Sequence, residues 1–283
     1  MQVKVNDYID FDKIIESGQT FRAKKLNDNL YRFVSLENVL YISNATPKNL
    51  KSRKTSKVKC TFNASCTEDE WKKFWYNYFD LNRSYKDIKI NECFSKKCEE
   101  VSRGIRILRQ DPFEMLISFI ISQRKSIPAI RTSIEEICRR FGTRIDTEYE
   151  EELYLFPTVD QLTKGSDCSD NLAECKLGYR LPYIEDALNT VKNNKSFLSD
   201  GFNMTDKELL NHLITIKGVG VKVANCVALF AYNRTGLAPV DTWIKKIIDD
   251  KYNGVSPFEN YGENAGIIQQ YMFYYALTHK DEF

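Results

Sequence analysis

The spacing of apolar side chains divides the chain into two parts with different periods. Across residues 30–42, and again at Val58, Cys60 and Phe62, apolar and polar residues alternate, which is the pattern of a half-buried strand. From Thr67 onward the apolar positions recur every three or four residues, as they do along one face of a helix. The sequence therefore predicts a small β-containing region followed by a mainly helical one.

Several of the predicted helices carry clear start signals. Thr67, Thr158 and Thr205 each stand three residues before a Glu or Gln, which is the pattern of a capping box. Asp111 followed by Pro112 is an N-cap with proline at the first helical position. The helix after Thr67 is predicted to place five aromatic side chains on one face: Trp71, Phe74, Trp75, Tyr78 and Phe79.

These patterns predict an α+β fold with two domains. A small N-terminal domain with an antiparallel sheet is expected over residues 1–100, and a mainly α-helical domain over residues 101–283. A chain of 283 residues is long enough for two cores. With 42% hydrophobic and 28% charged residues, its composition is that of an ordinary globular protein.

Charge and cysteine content narrow the function classes. The formal net charge is only +2, so binding to a polyanion would need a local basic patch. The stretch PKNLKSRKTSKVK (47–59) is one candidate, although a solvated loop and strand face is the more ordinary interpretation.

Eight cysteines without a CxxC pair argue against a zinc ribbon or a four-cysteine iron–sulfur cluster, and predict free thiols. The chain shows no targeting segment and no candidate membrane span, so we expect a cytoplasmic protein, associated with the nucleoid in a bacterium.

The stretch LLNHLITIKGVGVKVANCVALFAY (209–232) predicts two helices joined by a tight turn. Leu209, Leu210, Leu213 and Ile214 are expected to line the first helix. The glycines Gly218 and Gly220 let the backbone turn sharply and leave amides uncovered at the start of the second helix. Such amides form an anion site that suits a phosphate, and Lys217 adds charge beside it. The pattern indicates a helix-hairpin-helix over about residues 206–233.

Lys222 occupies the first turn of the second predicted helix, among apolar or small neighbours. The positive end of the helix dipole disfavours a further positive charge there, and apolar surroundings favour the neutral amine, which is a nucleophile. Further along, Asp241 follows Pro–Val and precedes a helical run. It is either a simple N-cap or the carboxylate that supports a lysine nucleophile, and both interpretations remain open.

The hairpin, the lysine and the Pro–Val–Asp together resemble the helix-hairpin-helix DNA glycosylases with lyase activity. Within that superfamily the chain resembles the 8-oxoguanine DNA glycosylase family nearly end to end, and we expect a bacterial member. The motifs that carry the resemblance occur in the family's order: ESGQTFR (16–22), RQDPFEMLISFIIS (109–122), LFPT (155–158), KLGYRLPYI (176–184), GVGVKVANC (218–226) and PVD (239–241).

The resemblance implies a bifunctional repair enzyme that acts on double-stranded DNA containing 8-oxoguanine. Lys222 would attack the sugar to form a Schiff base, Asp241 would support the cationic sugar, and β-elimination would cut the strand on the 3′ side. The same resemblance implies a monomer that has no contact with membranes and needs no metal or organic cofactor.

The resemblance also assigns a base pocket. The backbone carbonyl of Gly18 would accept the N7 hydrogen that an oxidised guanine carries and a normal guanine lacks. Cys226 and Phe273 would cover the two faces of the base, and Gln269 would contact its Watson–Crick edge. Phe273 stands at helical spacing from Gln269, so a plain core role for it also remains open.

On the opposite strand the resemblance is incomplete. Tyr179 would wedge into the duplex and Arg180 would face the orphaned base. Arg124 stands where the eukaryotic pattern has an Asn, and Ala129 where it has an Arg. Arg124 would contact either the base or a phosphate. The loss of one arginine contact predicts a relaxed preference for cytosine opposite the lesion.

Two further departures lie near the predicted base pocket and Asp241. Trp243 and Ala276 stand where the eukaryotic pattern has His and Asp. Losing both polar partners together costs less than losing one, which would strand the other. A phosphate contact at Trp243 is therefore left open.

Two other functions remain open from the sequence. One is a glycosylase of the same superfamily for an alkylated base or an oxidised pyrimidine. Lys222 argues against the alkylation branch, which lacks lyase activity, and the absence of cysteines after Cys226 argues against the iron–sulfur branch. The other is a non-catalytic DNA-binding protein that uses the hairpin as a phosphate clamp.

Overall fold

The computed structural model describes residues 1–45, 60–147, 149, 152–164 and 172–283. The basic stretch 47–59, which includes Val58, lies outside these residues, so the strand and loop expected there stay predictions. Within the described ranges, no helix is long and apolar enough to cross a membrane. The cysteines in the same ranges form no disulfide.

The two strand regions predicted from the sequence belong to a five-stranded sheet. In chain order its strands are β1 (Gln2–Val5), β2 (Lys24–Asn27), β3 (Leu30–Ser35), β4 (Asn38–Asn44) and β5 (Cys60–Ala64). They lie side by side in the order β1-β5-β4-β3-β2, and β1 with β5, β4 with β5 and β2 with β3 are antiparallel pairs. The alternation over residues 30–42 corresponds to two strands joined by a turn, and a short antiparallel pair follows later in the chain. That later pair consists of β6 (Arg144–Ile145) and β7 (Leu153–Tyr154).

The remaining elements are helical, and the predicted caps are present at each start. Thr67, Thr158 and Thr205 form capping boxes, and Asp111 caps a helix with Pro112 at its start. The helices are α1 (Phe11–Glu16), α2 (Glu68–Glu70), α3 (Tyr76–Tyr78), α4 (Cys93–Ser102), α5 (Pro112–Ser122), α6 (Ile127–Phe141), α7 (Val159–Leu162), α8 (Leu181–Asn193), α9 (Phe197–Asp200), α10 (Asp206–Ile214), α11 (Val221–Phe230), α12 (Thr242–Tyr252) and α13 (Ala265–Thr278).

The predicted aromatic helix departs from regular α geometry. Residues Trp71–Trp75 form a π-helix between α2 and α3, and the N–H of Tyr76 donates to the carbonyl five residues back. Despite the wider turn, Trp71, Trp75 and Phe79 are buried as expected. They belong to the core beside the sheet, where the rings of Phe33 and Phe79 meet edge-on with centroids 5.0 Å apart.

The described chain falls into two compact units. The sheet unit consists of residues 1–33, 39–109 and 233–283, and the hairpin unit consists of residues 34–38 and 110–232. Two contacts of α13 tie the C-terminal part to the rest of the sheet unit. The side chain of Gln270 donates to the carbonyl of Ser17 at 2.8 Å, and the hydroxyl of Ser102 donates to the carbonyl of Tyr271 at 2.9 Å. The predicted domains 1–100 and 101–283 follow chain order and stay predictions.

Candidate active site

The hairpin turn in the hairpin unit depends on one of its two glycines for geometry. Gly218 has a φ of +82°, and a Cβ there would lie 2.2 Å from a ring atom of Tyr183. Gly220 has an extended backbone, and a Cβ there would meet nothing within 4 Å. Steric fit therefore requires glycine at 218, whereas Gly220 leaves open space where α11 begins.

The start of α11 has the features of a phosphate-binding helix terminus. Gly220 is its N-cap and supplies no side-chain hydrogen bond, so no capping side chain occupies the first N–H groups of the helix. The backbone N–H of Lys217 donates to the carboxylate of Asp186 at 2.8 Å, which fixes the turn, while the Lys217 residue is exposed. Exposed amides, the helix dipole and a nearby lysine together favour an anion.

Lys222 lies in the first turn of α11 and is half-buried. Its Nζ is 5.4 Å from the centroid of the Phe119 ring on α5, and that ring stacks on Phe230 with centroids 5.5 Å apart. No acidic residue occurs in α11, so Lys222 has no ion-pair partner within its own helix, and its Nζ lies over the aromatic ring. Cys226 follows one helical turn later and is only 4% exposed.

The predicted wedge residues contact the loop that follows α5. Arg180 is 7% exposed, and its guanidinium donates to the carbonyl of Gln123 from Nε at 2.9 Å and from a terminal nitrogen. A third N–H of Arg180 donates to the carbonyl of Leu177 at 3.1 Å. The hydroxyl of Tyr179, a residue 52% exposed, donates to the same Gln123 carbonyl at 3.3 Å. Arg124, next in the chain, is exposed and has a φ of +51°.

Lys125 joins the same loop to the segment before the wedge. Its Nζ donates to the carbonyl of Lys176 at 2.8 Å and to the hydroxyl of Ser133 at 2.5 Å. Burial lowers the pKa of the Lys125 ammonium, and the charges of Arg180 and Lys176 act in the same direction. Several cations therefore share this edge of the hairpin unit.

In the sheet unit, Asp241 is the N-cap of α12. Its side chain accepts a hydrogen bond from the N–H of Ile244 at 2.9 Å. The N-cap interpretation is thus observed, and it fixes the orientation of a carboxylate at a helix start. Trp243, in the first turn, is half-buried, and its ring lies 5.1 Å from the Nζ of Lys246.

Gly18 lies just after α1, in the left-handed region with a φ of +73°. Both of its neighbours are anchored. Ser17 donates its hydroxyl to the carbonyl of Ile14 at 2.8 Å. The buried amide of Gln19 donates to the carbonyl of Arg106 at 2.9 Å and accepts from the N–H of Leu108 at 2.8 Å. The peptide groups around Gly18 are therefore held in one orientation.

The C-terminal helix α13 carries the other predicted pocket residues of this unit. Gln269 is 5% exposed, and its Oε1 is buried without a hydrogen-bond partner among the described residues. Such an atom costs free energy unless a ligand or water satisfies it. Phe273, one turn later, is half-buried, and Ala276 is fully buried. The contact of Gln270 with Ser17 brings α13 to the backbone beside Gly18.

The predicted site residues thus form two groups, one in each unit. The hairpin unit holds Lys222, Cys226 and the phosphate- and wedge-related residues, and the sheet unit holds Asp241, Gly18, Gln269 and Phe273. Their individual roles stay predictions. The sequence did not point to Gln123 or Phe119, because each lies at the end or in the middle of the apolar run ISFIISQ, where nothing distinguishes it from core.

The chain is similar to several known proteins. A family model described as the N-terminal domain of 8-oxoguanine DNA glycosylase matches residues 2–116. The N-glycosylase/DNA lyase of Saccharomyces cerevisiae is 32% identical over 201 residues, which are 65% of this chain. The aligned part spans 52% of the yeast protein, about half its length.

Solved structures match over the whole length. The 8-oxoguanine glycosylase/lyase of Clostridium acetobutylicum, in complex with double-stranded DNA containing cytosine opposite 8-oxoguanine, has a TM-score of 0.84 and 31% identity. The match covers 99% of this chain and 98% of that one. MBOgg1, in complex with a low-affinity DNA ligand, gives a TM-score of 0.85 and 31% identity over 99% and 96% of the two chains.

This chain is therefore a helix-hairpin-helix protein of α+β fold with a lysine in the first turn after the hairpin. It belongs to the 8-oxoguanine DNA glycosylase family. The family and the fold class predicted from the sequence are both confirmed.

Proposed function

We propose that this protein is a bifunctional 8-oxoguanine DNA glycosylase and lyase that acts as a monomer on duplex DNA. The base must leave the stack because its glycosidic bond is out of reach inside a duplex. The amine of Lys222 then attacks C1′, the bond from C1′ to the base nitrogen breaks, and the sugar ring opens to a Schiff base. Loss of a C2′ proton expels the 3′ phosphate, and water finally releases the lysine.

The position of Lys222 is the observation that carries this proposal. The chain belongs to a glycosylase family, and the Nζ of Lys222 lies 5.4 Å from the centroid of the Phe119 ring. Lys222 is in the first turn of a helix whose N-cap makes no side-chain hydrogen bond. The helix amides suit the phosphate beside the extruded nucleotide, so the nucleophile and the phosphate contact lie on the same turn. Arg124 and Arg180 belong to the same unit and contact the opposite strand in this proposal.

Asp241 supports the reaction as a charged N-cap. Its carboxylate is held by the N–H of Ile244, so it is already oriented when a positive charge develops on the sugar. The base itself is read by Gly18, Gln269, Cys226 and Phe273. The unpartnered Oε1 of Gln269 supports this role, because a donor on the base would satisfy it.

Product analysis on defined duplexes tests the proposed function. The protein is mixed in excess with duplexes that carry 8-oxoguanine opposite cytosine, 3-methyladenine or thymine glycol, and both the free base and the nicked strand are measured. We expect 8-oxoguanine release with strand cleavage. Cleavage of another lesion alone would favour a different branch of the superfamily, and binding without cleavage would favour a non-catalytic role.

A further inference from the structure

Gln123 lies where three segments of the hairpin unit meet. It is the C-cap of α5, a helix in which nine of eleven residues are buried, and the exposed Arg124 follows it. The other two segments are the hairpin turn at Gly218 and the turn that carries Tyr179 and Arg180. A helix packed into the core along most of its length is a firm point of attachment, because its backbone cannot shift without disturbing that core.

The side chain of Gln123 is fixed between its own helix and the hairpin. Its Nε2 donates to the carbonyl of Gly218 at 3.1 Å and to the carbonyl of Ile120 at 3.2 Å. A side-chain amide has two N–H donors. Both are therefore used, and one of them holds the turn that presents the phosphate-binding amides.

The backbone carbonyl of Gln123 holds the wedge turn. It accepts from Nε and a terminal nitrogen of Arg180 and from the hydroxyl of Tyr179. The guanidinium of Arg180 has five N–H donors, so the bonds to Gln123 and Leu177 leave two for other partners. Arg180 is thus anchored by backbone carbonyls while it keeps donors for a base.

The ring of Tyr183 makes a second connection between the hairpin turn and Tyr179. The ring of Tyr183 lies against Gly218, close enough that a Cβ there would overlap it. The same ring meets the ring of Tyr179 edge-on, with centroids 6.2 Å apart. Two sets of contacts therefore connect Gly218 to Tyr179, one through the ring of Tyr183 and one through Gln123.

We propose that Gln123 is a positioning residue that couples the phosphate-binding hairpin to the wedge of Tyr179 and Arg180, and so sets where the wedge enters the duplex. This inference rests on the proposed function. Base extrusion needs the DNA backbone to be held by its phosphates and the space that the base leaves in the duplex to be filled by a side chain. A small misplacement between two such groups lowers a rate more than it lowers binding.

A double-mutant cycle on the full-length protein separates this role from simple support of the fold. Gln123→Met keeps the size of the side chain and removes both N–H donors, and Tyr179→Ala removes the ring that the wedge inserts into the duplex. Single-turnover release of 8-oxoguanine is measured for wild type, both single variants and the double variant. Gln2→Met makes the same chemical change at an exposed position of β1 and serves as the matched control.

In the wild-type background, Gln123→Met should slow base release by about two- to thirtyfold. In the Tyr179→Ala background the same change should cost less than about twofold, since the ring that enters the duplex is absent and its position no longer matters. Fluorescence of a 2-aminopurine beside the lesion should show reduced extrusion. Affinity for undamaged duplex and its salt dependence should stay at the wild-type values, because the bond from the N–H of Lys217 to Asp186 still fixes the turn that carries the hairpin amides.

Equal slowing in both backgrounds, or loss of affinity for undamaged DNA that matches the loss of rate, would overturn the inference. Gln123→Glu, which keeps the stem and lacks the donors, repeats the cycle if the Met variant does not fold. A wild-type protein that released no 8-oxoguanine in this assay would instead reject the proposed function.

Discussion

The hairpin around Lys222 and the pocket residues on α13 are built in different ways. At the hairpin, a left-handed glycine and the start of α11 lie within four residues of Lys222, which is half-buried. On α13, eleven of fourteen residues are buried, and Gln270 is held by a contact with Ser17, which is distant in sequence. The proposed nucleophile therefore lies at a helix start that residues close in sequence define, whereas the pocket residues on α13 belong to a helix placed by packing.

The largest expected effect is at Lys222, the proposed nucleophile beside the hairpin. Lys222→Gln keeps most of the aliphatic stem over Phe119 and removes the amine. We expect base release and strand cleavage to fall by at least about a thousandfold, because the nucleophile is lost. Lesion binding and the melting temperature should stay near wild type. Lys207→Gln, on an exposed position of α10, is the matched control, and near-normal cleavage by Lys222→Gln would contradict the assignment.

The next largest effect concerns a helix cap with a proposed second role. Asp241→Asn keeps a capping side chain and removes the charge, so turnover should fall by about a hundredfold to a thousandfold. The free energy of unfolding should barely change, because Asn caps as well as Asp. Calorimetry and single-turnover kinetics measure the two quantities.

Asp111→Asn is the control for this prediction. Asp111 caps α5 in the same way, and burial raises the pKa of its carboxyl. It lies outside the proposed chemistry, so turnover should not fall. Unfolding of Asp241→Asn with normal specific activity in the folded remainder would leave Asp241 as a cap only.

Two neighbouring glutamines on α13 test which of the buried side chains serve the base pocket and which serve the core. Gln269→Met removes an oxygen that has no partner among the described residues, so stability should hold or rise while 8-oxoguanine release falls by about five- to hundredfold. Gln270→Met strands the carbonyl of Ser17 and should lower the free energy of unfolding by about 1–3 kcal/mol. Equal stability losses in both variants would show that Gln269 serves only the core.

The smallest effect concerns the base opposite the lesion. Arg124 is exposed, and Ala129 lies in α6 where the family's eukaryotic pattern has an arginine. We expect 8-oxoguanine opposite A, G or T to be excised within about tenfold to thirtyfold of the rate opposite C. Ala129→Arg should sharpen the preference for C. A wild-type preference of several thousandfold would show that Arg124 and Arg180 are sufficient.

The sequence predicted best those features that depend on neighbours along the chain. The capping boxes at Thr67, Thr158 and Thr205, and the glycine turn before Lys222, are visible locally because side chain and backbone partners lie within three or four residues. Lys222 itself was found by its position at a helix start among apolar residues.

Features set by distant contacts were less visible. The π-helix at Trp71–Trp75 has the same apolar spacing as an α-helix, so periodicity cannot separate them. Ile214 was expected to line the hairpin helix and is 39% exposed, because it lies about 100° around the helix from the buried Leu213. Nothing in the run ISFIISQ marks Gln123, whose partners lie 57 and 95 residues away.

Borohydride trapping with peptide mapping tests the central claim most directly. The wild-type protein is incubated with a duplex carrying one 8-oxoguanine opposite cytosine in the presence of borohydride, which reduces a Schiff base to a stable amine. We predict a covalent protein–DNA complex whose only modified residue, found by mass spectrometry of proteolytic peptides, is Lys222. A complex linked through another lysine, or base release and strand cleavage without any trapped complex, would contradict the account.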